Sequence, residues 1–332
     1  MKNVLLIPRC ILFGSLLVAL SAAPARARQV RVFILAGQSN MQGQGFIAAD
    51  PKRNSGKGSL EYVAKDPATA DRFKQLLDDK GKWAVRDDVW ISYLDRKGPL
   101  TVGYGVNPER IGPELGFGWV MGEQFKEPVL LIKCAWGGKS LAVDFRPPSS
   151  GKIPYPLNAK TAATIEKDPQ IVGFYYRETV KLSRETIDRM GELFPSLAGC
   201  EPVLSGFGWH QGWNDRIDNQ FNAEYEKNLA NFIRDIRSDL KAPGLPFVVA
   251  GTGMNGPNEK NPRALSLMKA QAAVADYPEF KGNVAFVETR PFWREVQDSP
   301  SNQGYHWNTN AETYYLIGEA MGKSMNQLMS HH

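Results

Sequence analysis

The sequence predicts a single doubly wound α/β domain over residues 28–330, built on a five-stranded parallel sheet. Two observations carry this. Five short runs are apolar and β-branched, as in strands buried on both faces: Val30–Ala36, Val129–Ala135, Val203–Gly208, Phe247–Ala250 and Val284–Val287. Longer stretches of helical spacing separate them: Glu114–Gln124, Ile171–Leu193, Asn222–Leu240, Ala264–Asp276 and Ala311–Leu328. Ligands of such sheets bind beyond the carboxyl ends of the strands, so the residues just after each run are the candidate site.

Taken in order, the chain opens with a leader. Lys2 and Arg9 precede a short apolar run, Ile11–Leu20, and small residues follow at Ala23, Ala25 and Ala27. This is the pattern of a secretory signal peptide over 1–27, and its apolar run is short for a bilayer span. Export is therefore expected, with no membrane attachment after cleavage. After the first strand, residues 47–110 break the alternation. They are rich in charge, Gly and Pro, with a short helical stretch at Ala68–Leu77 and a strand-like run at Val89–Leu94. They read as an insertion. Residues 142–160 carry Pro147, Pro148, Pro154 and Pro156 and read as a long ordered loop, a kind that is often functional.

Composition narrows the function. Hydrophobic residues make up 42%, which excludes a disordered chain. The formal charge is +5, but Lys2, Arg9 and Arg26 lie in the leader, leaving about +2. The remaining basic residues are interspersed with acids, so no nucleic-acid partner is expected. Of four histidines, His331 and His332 end the chain, leaving His210 and His306. That argues against a multi-His metal site or a Cys/His zinc site. Cys134 and Cys200 are read either as a disulfide or as buried thiols.

The residues after the strands carry chemistry. Gly37-Gln38-Ser39-Asn40-Met41 follows the first strand. A serine at a strand-to-helix turn presents its hydroxyl at the sheet edge, as a nucleophile or as a helix cap. The second glycine of G-x-S-x-G is missing. Trp136-Gly137-Gly138-Lys139-Ser140 follows the second strand, and paired glycines let a backbone N–H approach a ligand as an oxyanion donor. It is not a phosphate loop, because the upstream glycine of that motif is absent. Trp209-His210-Gln211-Gly212-Trp213-Asn214-Asp215 follows the third strand. Gln211 and Asn214 are amides suited to a developing oxyanion, and His210 is a candidate orienter. Before the last helix, His306 is the best general base by elimination, with a pKa suited to neutral pH.

These four motifs, in this order, resemble the SGNH hydrolase superfamily. The GQSNM, WGGKSL and WHQG blocks look like its sialate O-acetylesterase branch, which includes acetylxylan esterases, and the likeness spans roughly residues 30–325. The resemblance implies a flavodoxin-like three-layer α/β/α fold. It implies Ser39 as nucleophile and His306 as base. It also implies an oxyanion held by the N–H groups of Ser39 and Gly138 and by the amide of Gln211 or Asn214. The implied reaction is hydrolysis of acetyl esters on sugars, without metal or other cofactor.

Two positions depart from that pattern. Relatives place an Asp three residues before the His, where this chain has Gln303; others place a Glu after HQG, where it has Trp213. Asp215 is the first candidate for the third triad member, Asp298 the second and Gln303 the third. In a serine-protease triad an amide in place of the acid costs about four orders of magnitude, so Gln303 in that role predicts a slow enzyme. Trp136, Trp213 and Trp307 are candidate platforms for a sugar ring; Trp209, also beside the motifs, is read with them as core or platform. Arg146 and Lys152 are candidate contacts for an anionic sugar. The alternatives to an acetylesterase are a catalytically idle carbohydrate-binding protein and a lipase- or thioesterase-type SGNH hydrolase.

Overall fold

The computed structural model describes residues 28–330; the leader expected over 1–27 lies outside them. Seven strands form the main sheet: β1 Gln29–Gly37, β2 Val89–Tyr93, β3 Arg96–Pro99, β4 Val129–Ala135, β5 Glu201–His210, β6 Phe247–Ala250 and β7 Val284–Val287. Their order is β3-β2-β4-β1-β5-β6-β7. All neighbours are parallel except β3, which turns back antiparallel on β2.

The five expected strands are all present, and the sheet gains two from residues 47–110. This corrects the strand count. β2 lies second from the edge and buries only alternate residues, Val89, Ile91 and Tyr93. β3 is Arg-Lys-Gly-Pro, with no large apolar side chain for a hydropathy pattern to detect. It is held by backbone pairing to β2, as an edge strand is. The rest of the segment packs Leu60, Val63 and Phe73 into the core from two short helices.

Both sheet faces are covered, which is why the central strands are largely apolar, with Lys133 of β4 a buried exception. Phe33 and Leu35 of β1 face helices Pro113–Gln124 and Ala311–Ser330, which contribute Leu115, Phe117, Tyr314, Ile317 and Met321. Val30, Val32, Ile34 and Ala36 face helices Phe174–Asp188 and Asn219–Asp239, which contribute Tyr176, Leu229, Phe232 and Ile233. Each such aliphatic or aromatic side chain contributes about 1.5–3 kcal/mol by leaving water. Cys134 and Cys200 are both free thiols, Cys134 buried. Among the described residues no helix is long and apolar enough to cross a membrane.

Register sets where the site forms. Gly37 pairs with Ala135 of β4 and with His210 of β5, so three central strands end level. A bulge at Ser205 makes this possible: Val32 pairs with Leu204 but Phe33 with Gly206. The strand order also reverses about β1, which opens a crevice at the carboxyl edge.

Candidate active site

Ser39 begins a single helical turn, Ser39–Gln42, directly after β1. Gly37 allows the tight exit, because a Cβ there would fall 2.1 Å from the His210 carbonyl oxygen. The turn is anchored from behind by Lys133, whose Nζ donates to the Gln42 carbonyl (2.7 Å), the Tyr104 carbonyl (2.7 Å) and Glu114 (2.6 Å). Lys133 and Glu114 are fully buried. Burial pulls the Lys133 ammonium down to about 8, with Glu114 opposing that shift.

Gly137 and Gly138 close over the serine. A Cβ on Gly137 would stand 3.9 Å from the Ser39 Cβ. Gly138 turns with φ +71°, and the space where its side chain would be is open. The N–H groups of Ser39 and Gly138 have no hydrogen-bond partner among the described residues.

Gln38 is the organiser that the sequence reading missed. It is buried, and its Oε1 accepts from the N–H groups of Gly212 (3.1 Å) and Asn214 (3.3 Å). Its Nε2 donates to the Asn214 Oδ1 at 3.1 Å, and the Asn214 Nδ2 donates to the Gly138 carbonyl at 2.9 Å. Asn214 is thereby fixed beside Gly138 with its amide only half-buried. The signal was present: a polar residue between a buried strand and a buried turn needs partners.

Gln211 is not free to serve as the oxyanion amide. Its Nε2 donates to the Lys139 carbonyl (3.0 Å) and Asp215 (2.5 Å), and its Oε1 accepts from Tyr225 (3.1 Å). Of the two amides, Asn214 is the one that borders open space.

Asp215 does not touch His306, which corrects its expected place as third triad member. It is fully buried and accepts from Leu141 N–H (2.9 Å), Ala142 N–H (2.8 Å) and Gln211. Burial pushes its carboxyl up to about 7, against the pull of these three donors. Its work is to hold the 137–142 loop against the end of β5. Asp298 is likewise elsewhere: it is exposed and faces Lys57 at 3.6 Å. Gln303 is exposed and meets His306 through its main chain, its carbonyl accepting from the His306 N–H at 2.7 Å.

His306 lies in a distorted turn, Gly304–Thr309. Its ring packs on Tyr305, centroids 4.5 Å apart, and no side chain of the described residues hydrogen-bonds to it. Burial alone lowers its pKa to about 4. The Asn40 Nδ2 donates to the Tyr305 carbonyl at 3.1 Å, which ties this loop to the serine turn. Ser39 Oγ and the His306 ring make no direct hydrogen bond, and such contacts often tighten only with substrate. The His210 ring makes no hydrogen bond to Gln211 or Asn214. It is buried, with Nδ1 3.3 Å from the Ala250 carbonyl and its pKa lowered by burial to about 4.

The tryptophans divide by burial. Trp307 is fully buried against Trp293 and is core, which corrects its reading as a platform; Trp209 is core too. Trp136 packs on Tyr175 at 4.9 Å. Trp213 stays half-buried beside exposed Tyr305, 6.0 Å between centroids, and the Arg216 guanidinium lies 3.7 Å from its ring. Tyr305 is an aromatic wall that the sequence reading did not single out. Arg146 is buried, bridging Glu224 at 2.9 Å and the carbonyls of Ala142 and Gly151, so its guanidinium is committed to internal partners and staples the Pro-rich loop. Lys152 is exposed beside it.

From Gly138 and Asn214 a groove of about 560 Å³ runs between Asp144, Thr161, Asp218 and Phe221. Its lining is mixed: Asp144, Asn158, Thr161 and Asp218 offer polar groups, and Val143, Ile171, Ile217 and Phe221 offer apolar ones, as a sugar with both hydroxyl and C–H faces needs.

The model of the family described as carbohydrate esterase, sialic acid-specific acetylesterase, matches residues 29–327. No curated protein matches the sequence. Among solved structures, NanS is similar with a TM-score of 0.55 at 12% identity, over 92% of this chain and 99% of that one. A protein from Arabidopsis thaliana is similar with a TM-score of 0.54 at 16% identity, over 89% of this chain and 97% of that one. A carbohydrate acetylesterase from Xanthomonas citri is similar with a TM-score of 0.51 at 12% identity, over 91% of this chain and 57% of that one. These likenesses establish a shared fold, the three-layer α/β/α arrangement expected. With the family model spanning nearly all described residues, the chain belongs to the sialic acid-specific acetylesterase family of carbohydrate esterases.

Proposed function

We propose that the protein is an exported, single-domain O-acetylesterase that removes acetyl groups from sugars through an acyl-enzyme on Ser39. The observation that carries this reading is the grouping of Ser39, Gly138 and Asn214 beyond the level ends of three central strands, with Gly138 and Asn214 bordering a groove of mixed lining.

His306 takes the Ser39 proton as Ser39 Oγ attacks the acetyl carbonyl. The oxyanion is held by the N–H groups of Ser39 and Gly138 and by the Asn214 amide. The protonated imidazole then gives its proton to the departing sugar hydroxyl. Water, activated by the same imidazole, cleaves the acetyl-enzyme to acetate. No step calls for a metal, and acetate release is to be assayed with a chelator present. Trp213 and Tyr305 form the apolar wall on one side, and the groove takes the sugar on the other.

Removing one oxyanion donor typically costs about 10²–10³ in kcat. Asn214→Ala is expected to show that loss on acetylated glycans and on p-nitrophenyl acetate, with KM changing little. A Gln211→Ala variant with the larger loss, at unchanged melting temperature, would reverse the assignment of the amide.

The pH profile provides a separate check. A general base must be neutral in the free enzyme, and burial depresses His306 from 6.5 to about 4. Activity is therefore retained as pH falls below 6.5 and lost as it passes through about 4. An acid limb of kcat/KM near 6.5 would contradict a partly buried imidazole with a lowered pKa as base.

One observation favours a second reading, a catalytically idle glycan-binding protein: no carboxylate among the described residues holds the His306 ring. That reading predicts glycan binding without labelling of Ser39 by a fluorophosphonate. A lipase- or thioesterase-type activity is the remaining alternative, and the mixed lining of the groove does not separate it from an acetylesterase. A chain-length series of esters separates it from acetyl hydrolysis.

A further inference from the structure

Asn40, beside Ser39, is buried at 3% exposure, yet its side chain is committed to the opposite loop. Its Nδ2 donates to the Tyr305 carbonyl at 3.1 Å. Its Oδ1 accepts from the Tyr314 hydroxyl at 2.8 Å, and that hydroxyl also lies 3.2 Å from the His306 carbonyl. The two residues before and at the imidazole are thus gripped by their main chain. The grip meets a strained segment. Trp307, Asn308 and Thr309 follow His306 with φ of +53°, +53° and +56°, three successive non-glycine residues in the left-handed region. Such residues persist only where their surroundings over-determine them. Here Asn308 Nδ2 donates to the Arg294 carbonyl at 3.0 Å and Thr309 Oγ1 to Ser301 Oγ at 2.9 Å.

We infer that Asn40, acting with Tyr314, is the positioning residue for His306, aligning the imidazole with Ser39 through its main chain in place of a triad carboxylate. The inference rests on the reading of His306 as the base. The nucleophile turn and the base loop are linked through one side chain, so the distance between Ser39 and His306 is set by Asn40 and not by a partner on the ring. Releasing the grip lets the strained turn relax and carries the ring out of line and toward solvent. A displacement of about 1 Å from attack geometry costs on the order of 10²-fold in rate.

The test uses Asn40→Ala and Tyr314→Phe in the full chain, with acetate release, fluorophosphonate labelling and thermal unfolding measured side by side. Asn40→Ala is expected to lower kcat by roughly 10- to 100-fold with KM within about twofold, and to slow labelling of Ser39 by the same factor. Tyr314→Phe, which keeps the bond to the Tyr305 carbonyl, is expected to have the same sign and a smaller size. The acid limb of kcat/KM is expected to rise from about 4 toward 6.5 in Asn40→Ala as the ring gains solvent. A merely structural role would lower the folded fraction and leave that limb in place. The inference is overturned if both variants keep kcat within about threefold of the parent, or if activity falls only with the folded fraction and the acid limb stays. A fully active His306→Ala would instead remove the underlying reading and the positioning role with it.

Discussion

Ser39→Ala is expected to lower acetate release by roughly 10⁴- to 10⁶-fold and to abolish fluorophosphonate labelling, while the protein remains folded. The hydroxyl is the only part of the residue removed, and Ser39 Oγ makes no hydrogen bond within the described structure. The fold therefore loses little, and the melting temperature should stay close to that of the parent. The residual rate comes from the oxyanion donors and from sugar binding, which the substitution leaves intact. His306→Ala should produce a loss of similar size, because the hydroxyl is a poor nucleophile without a base. The two losses should not multiply in the double variant, since both act on one step. Full activity in Ser39→Ala would sink the acyl-enzyme reading, and acetylated glycan that still binds to the inactive protein would leave the groove assignment standing.

Asp215→Ala is expected to destabilise the fold by about 3–5 kcal/mol, because it strands three buried donors at once. Leu141 N–H, Ala142 N–H and the Gln211 Nε2 all point at that carboxylate, which has no exposure to water. A loss of that size corresponds to a fall of roughly 5–10 °C in melting temperature, read by calorimetry. Catalysis should fall as well, through the 137–142 loop that carries Gly138. Asp215→Asn is not conservative here, because an amide presents its own N–H where an acceptor is required. Asp298→Asn and Gln303→Ala serve as the contrast, since neither side chain reaches His306. An unchanged melting temperature in Asp215→Ala, with activity lost and the acid limb moved, would return Asp215 to the role of triad acid.

The fold was largely legible from local pattern. Runs such as Val129–Ala135 and Phe247–Ala250 coincide with strands to the residue, because a strand covered on both faces is apolar at nearly every position, the buried and paired Lys133 being the exception. The long helices announced themselves by their spacing for the same reason. β3 was illegible because Arg-Lys-Gly-Pro is held by backbone bonds to β2, which leave no trace in side-chain hydropathy.

The candidate site was legible in part. Ser39, Gly138 and Asn214 each follow a strand directly, so a local rule about strand ends found them. Gln38 and Asn40 were passed over because their importance lies in partners far along the chain: Gly212 and Asn214 for one, Tyr305 and Tyr314 for the other.

By itself, then, the sequence determined the alternation of buried strands and helices and the small set of polar residues left at their ends. Both follow from burial and turn chemistry over a few neighbouring residues. Only the tertiary structure decided what those polar residues do. It turned Asp215 toward the glycine loop, sealed Trp307 in the core, spent Gln211 and Arg146 on internal bonds, and left the His306 ring without a carboxylate. The reason is that a hydrogen bond or a loss of solvent depends on groups brought together across tens to hundreds of residues, and one residue type can serve either as a reactive group or as the satisfied partner of a buried amide.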